Sequence, residues 1–326
     1  MKTKTLHDEL VVFDGLIVSN WDRKIFEDMK AGGVTAANCT CAVWEDFRGT
    51  MENVAQWHQW FEEFSDILIQ VRKVADIRRA KTEGKVGIAL GWQNTSPIEG
   101  QLEFLNLLNT LGVGIVQLTY NTQNLIGSGC YESYDGGLSD FGRDVVDELN
   151  RLGMLIDLSH VGSKTSADAI RHSKSPVCYS HACPQALKQH PRNKTDDELR
   201  FISEHGGFIG VTMFPPFLPK GADSNLEDYL DAIEYVIGIS GEDHVGIGTD
   251  MTQGYGAPFF DWITRDKGTG RRLTDFGEIK NPPGFQRLGE FPNLTAAMIS
   301  RGWAETRIQK VMGENWLTLL TGVWGG

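Results

Sequence analysis

The chain has 326 residues, 40% of them apolar and 23% charged, and a formal net charge of −12 at pH 7. That length suits one α/β barrel with elaborated loops, and the acidic balance argues against nucleic acid or an anionic membrane surface as a partner. No apolar run approaches the roughly 20 residues that span a bilayer, and Met1–Asp8 lacks a signal-type apolar stretch, so a cytoplasmic location is the expectation. The five cysteines, an odd count, argue against a disulfide framework. Cys39 and Cys41, one residue apart, would point to opposite faces of a strand rather than form a metal-binding pair.

Strand-like apolar runs recur along the chain: Leu10–Asp14, Val34–Thr40, Val86–Gly91, Gly114–Tyr120, Met154–Leu158, Pro176–Ser180, Gly207–Thr212 and His244–Thr249. Between the second and third, residues 51–81 read as one long amphipathic helical excursion. After the fourth, Phe141, Val145, Val146, Leu149 and Leu152 share a stripe at helical spacing. Leu199, Phe201 and Ile202 do the same after the sixth run, with Gly206-Gly207 as a stop. Residues 226–239 form a further helix before the eighth. A long loop rich in Gly, Pro and aromatics, Gln253 to about Pro292, follows the eighth strand and reads as a lid or binding wall. The tail, Glu305–Leu320, reads as helices interrupted at Gly313–Trp316 by a turn or a cap. Strands alternating with helices imply a parallel sheet, and eight of them imply closure into a (β/α)8 barrel, a single domain over residues 1–326 with a helical tail.

Parallel strands buried on both faces are continuously apolar, and α/β barrels keep their chemistry at the carboxyl ends of such strands. His160 and His181 end the fifth and sixth predicted strands. Neighbouring strands lie about 4.8 Å apart, so the two imidazoles fall within reach of one metal ion. Asp250 ends the eighth strand, where a carboxylate binds metal or takes a proton from water. Arg192, in His190-Pro191-Arg192-Asn193, has the planar fork that suits a carboxylate. Trp21, Trp92, Tyr120, Phe214, Tyr255 and Phe259 crowd the strand ends, as pocket lining or as plain packing.

These residues sit in stretches that resemble the renal (membrane) dipeptidase family, zinc peptidases of the amidohydrolase superfamily. The matching stretches are Gly137–Arg143, Asn150–Val161, Ser175–His181, His190–Asn193, Gly206-Gly207 and Val245–Asp250, in order through most of the chain. The resemblance implies a distorted (β/α)8 barrel and a hydrolase acting on a dipeptide or small amide. It gives His160 and His181 as ligands of one zinc, Asp250 as proton shuttle and Arg192 as the grip on a substrate carboxylate. Asn193, Tyr120 and Tyr255 are further substrate-binding candidates of this chain. The family's first zinc is held by a His-x-Asp pair after the first strand, where this chain has Leu16 and Val18. Its bridging Glu falls at Gln93, and a substrate-binding His at Tyr120.

Leu16 and Val18 offer no lone pair to a metal, and Gln93 replaces an anionic oxygen by a neutral amide. Zinc normally takes at least three protein ligands, so the expected cofactor is at most one zinc, at His160, His181 and Gln93, or none. Three functional classes stay open: a one-zinc dipeptide or amide hydrolase, an enzyme of another small metabolite without a binuclear centre, and an inactive homologue. The expected partner is a small-molecule substrate; a homo-oligomer stays open.

Overall fold

The computed structural model describes residues 5–325. The first four residues, half of the Met1–Asp8 segment read above for a targeting signal, and Gly326 lie outside it. Among the described residues nine strands form one sheet: β1 Phe13–Ile17, β2 Ala36–Ala42, β3 Leu68–Gln70, β4 Val86–Trp92, β5 Val113–Gln117, β6 Leu155–Asp157, β7 Cys178–Ala182, β8 Phe208–Val211 and β9 Val245–Ile247. Eight of them run in the order β1-β2-β4-β5-β6-β7-β8-β9, every pair parallel. The first and last meet through a parallel bridge between Ile17 and Met251 and through Asp250 N–H donating to the Leu16 carbonyl at 3.0 Å. The fold is the expected (β/α)8 barrel.

Two segments differ from the sequence reading. Residues 51–81 do not form one helix: helices Phe47–Glu63 and Val74–Glu83 flank the short strand β3, which pairs with the first half of β4. The apolar run Ile67-Leu68-Ile69 is too short to show a period, and an open edge on β4 claims it, because β5 pairs only with the second half of that strand. The tail is not broken at Gly313 either. Helix Glu305–Gln309 continues through a π-helical segment, Lys310–Glu314, into helix Asn315–Trp324. A Cβ at Gly313 would stand 2.3 Å from the Val11 carbonyl oxygen, so this glycine serves close packing and not a turn.

Elsewhere the local signals work as read. Helix Asp140–Leu152 starts where the Ser139 hydroxyl accepts from Gly142 N–H, and it ends at Gly153 with φ of 66°. Its Val145, Val146 and Leu149 are fully buried, each worth about 2 kcal/mol of apolar burial. The closed end of the barrel is filled by Trp316, whose indole N–H donates to Ile247 O at 2.8 Å. Gly15, Gly210 and Gly246 make room for it, since a Cβ on any of them would come within 3.0 Å of the indole. No described helix is long and apolar enough to cross a membrane.

Candidate active site at the barrel mouth

Two histidines and a carboxylate build the polar half of the mouth. His160 follows β6 and His181 lies in β7, and their Nε2 atoms face each other at 2.9 Å. The opposite ring nitrogen of each has a partner that sets its tautomer. His160 Nδ1 lies 2.7 Å from the Asn121 side-chain oxygen, an acceptor, so Nδ1 carries the proton. Ser180 Oγ gives its hydrogen to Asp157 at 2.6 Å, so it must accept from His181 Nδ1 at 2.7 Å. Asp157 is itself saturated by the N–H and O–H groups of Ser159 and Ser180. Both Nε2 atoms therefore present lone pairs to one another.

Burial, reinforced by the Arg192 cation, holds both imidazoles well below the ordinary histidine range. Two neutral imidazoles with converging lone pairs repel, and a cation between them relieves that. Outer partners that fix the Nδ1–H tautomer are the usual surroundings of metal-binding histidines. The chemistry of this pair fits one metal ion. Among the described residues no group of three or more His, Cys, Asp or Glu side chains stands together at ligand distances.

Gln93, His160, Tyr120, Asp250 and Val18 line one small cavity of about 30 Å³ at the barrel centre. The Gln93 amide donates to Thr40 Oγ1 at 2.8 Å, which leaves its oxygen as an acceptor. Tyr120 stacks on His160 with ring centres 4.2 Å apart. Asp250, partly exposed, has a left-handed backbone with φ of 57°. Burial raises its carboxyl to about 7, against the lowering pull of Arg192. Leu16 is buried but is not part of the cavity wall, which Phe214, Phe217, Phe259 and Phe276 complete. That cavity has room for about one water, and Phe259 and Phe276, from the long loop after β9, stand in its wall.

The other sequence candidates are placed less directly. Arg192 is 1% exposed, and its two terminal nitrogens donate to the backbone oxygens of Ser159 and His181. It braces the strand ends that carry the imidazoles and stands outside the cavity wall. The Asn193 amide ties the Lys188 and Phe217 carbonyls together at 2.9 and 3.0 Å. Tyr255 stacks on Phe259 in a neighbouring chamber. Asn121, Asp157 and Ser180 escaped the reading of candidates. Asp157 and Ser180 carried a signal, since a polar residue within an apolar strand needs a buried partner; Asn121 carried none.

The description "Membrane dipeptidase (Peptidase family M19)" fits residues 21–261, well over half of the chain. The chain belongs to the membrane dipeptidase family. It is 29% identical over 287 residues to dipeptidase verJ of Clonostachys rogersoniana, covering 86% of this chain and 67% of that protein. Against dipeptidase aclJ of Aspergillus oryzae the identity is 29% over 283 residues, and the chain spans 61% of that protein's length. A crystal structure of an amidohydrolase from Pseudomonas aeruginosa superposes with a TM-score of 0.97 at 57% identity, with 98% of each chain covered. Membrane dipeptidases are zinc metallopeptidases, and this chain is a dipeptidase-like hydrolase of that family.

Proposed function

We propose that the protein hydrolyses a small amide or dipeptide with at most one zinc, as a diverged member of its family and as one barrel domain with a helical tail. The observation that carries this reading is the facing pair of Nε2 lone pairs at 2.9 Å, each set by an outer hydrogen bond. His160 and His181 would hold the ion, with the Gln93 side-chain oxygen as the third protein donor. Bound there, zinc supplies Lewis acidity toward a carbonyl oxygen.

The chain's own groups do the rest. Asp250 takes the proton of the attacking water; a carboxyl near 7 is matched to a base working at neutral pH. Tyr120 holds the His160 ring in plane by stacking. Arg192 fixes the backbone of both histidines, and a substrate carboxylate reaches it only by displacing one of the two carbonyls it now binds. The aromatic wall excludes water from the reacting bond. Metal analysis of protein purified without added zinc, followed by a dipeptide panel with zinc supplied, tests the reading. One equivalent lost in His160→Ala and His181→Ala supports it. Two equivalents in the unaltered protein overturn it.

A further inference from the structure

Beside the histidine cavity lies a second, larger chamber of about 300 Å³. Trp21, Trp60, Tyr255, Phe259 and Trp262 line it together with one acidic group, Glu45. Val18, Val43 and Phe259 belong to both walls, so the two spaces are neighbours across two valines and one ring. The Glu45 carboxylate is held by neutral donors: Val43 N–H at 2.7 Å and the Asn53 amide at 3.2 Å. No Lys, Arg or His lines the chamber, and among the described residues the cation–ring contacts all lie over other rings. Aromatic faces attract a cation through their quadrupole, and a fixed carboxylate adds a full counter-charge. A negative charge among rings, with no Lys, Arg or His in the chamber wall, is a place prepared for a cation from outside.

We propose that this chamber binds an organic cation, the ammonium or alkylated ammonium end of the substrate whose amide bond lies at the histidine pair. The assignment of that cation to the substrate rests on the hydrolase reading above; the cation site itself does not. The apolar wall of Val18 and Val43 between the two spaces suits the uncharged stem joining a cationic head to the reacting bond.

Calorimetry with tetramethylammonium chloride and with tert-butanol, a neutral molecule of similar size, separates charge recognition from simple apolar filling. The expected result is saturable binding of tetramethylammonium at least tenfold tighter than tert-butanol, and loss of most of that preference in Glu45→Gln. Equal binding of the two probes by the unaltered protein overturns the proposal, and this arm needs no variant to fold. Trp60→Leu provides a second variant, expected to weaken the cation several-fold. Retained cation preference in a folded Glu45→Gln protein also overturns it. Cation binding without amide hydrolysis supports this inference while removing the hydrolase reading. Hydrolysis of neutral dipeptides together with equal binding of the two probes does the reverse.

Discussion

The two halves of the barrel mouth differ sharply in chemistry although the same kind of strand end builds both. On the side of β6, β7 and β9 the ends carry His160, His181 and Asp250, and behind them the polar network of Asn121, Asp157 and Ser180 fixes ring orientation. On the side of β1 and β2 the matching positions carry Leu16, Val18 and Val43, all buried, with rings beyond. The backbone scaffold does not decide how many metals a barrel holds; the lone pairs at the strand ends do. A half with no donors is free to become a binding wall, and here it borders an aromatic chamber.

The largest expected effect breaks the polar half. His181→Ala removes one of two facing donors, and we expect loss of stoichiometric zinc by elemental analysis with amide hydrolysis falling at least 10³-fold; Arg192→Lys, which leaves both rings in place, retains the metal.

Next comes the base. Asp250→Asn keeps shape and hydrogen-bonding capacity but cannot accept a proton, so kcat falls about 10²–10³-fold with the metal retained. In the unaltered enzyme the acid limb of the kcat/KM profile lies near pH 7, as the raised carboxyl requires. A variant with undiminished kcat assigns the base elsewhere.

A gain of function sharpens the contrast from the apolar side. The double variant Leu16→His, Val18→Asp supplies the missing donors at the end of β1. Zinc content is expected to rise above that of the parent, at a cost of about 2–3 kcal/mol in urea unfolding without metal, because polar groups then replace buried aliphatic ones.

The smallest effect concerns Asp14, a fully buried carboxyl on β1 that accepts from Thr249 N–H at 2.8 Å and from its hydroxyl at 2.5 Å, joining the two halves. Burial raises it to about 7. The folded state then binds the proton more tightly than the unfolded chain does. The stabilisation is full below pH 4 and is lost as pH rises through about 7. Asp14→Asn is expected to flatten that part of the stability profile by roughly 1–3 kcal/mol, read from urea midpoints between pH 4 and 8.

The alternation of apolar runs and helical stripes determined the barrel, because a buried parallel strand and a helix that covers it leave different periods in a sequence. The same reading brought His160, His181 and Asp250 to one mouth, since chemistry collects where such strands end. Other features depended on contacts between distant segments. β3 formed because β4 had a free edge, and Gly313 packs against Val11 instead of ending a helix. The tautomers of the two imidazoles depend on Asn121 and on the Asp157–Ser180 pair, which come from three different strands or loops. Arg192 meets the backbone carbonyls of Ser159 and His181 because the barrel brings the loop after β7 back over the strand ends. The aromatic chamber gathers Trp21, Trp60 and Trp262 from three remote stretches. Periodicity is a local property, so it survives in one dimension; hydrogen-bond partners and cavity walls are made by packing, and only the closed barrel brings them together.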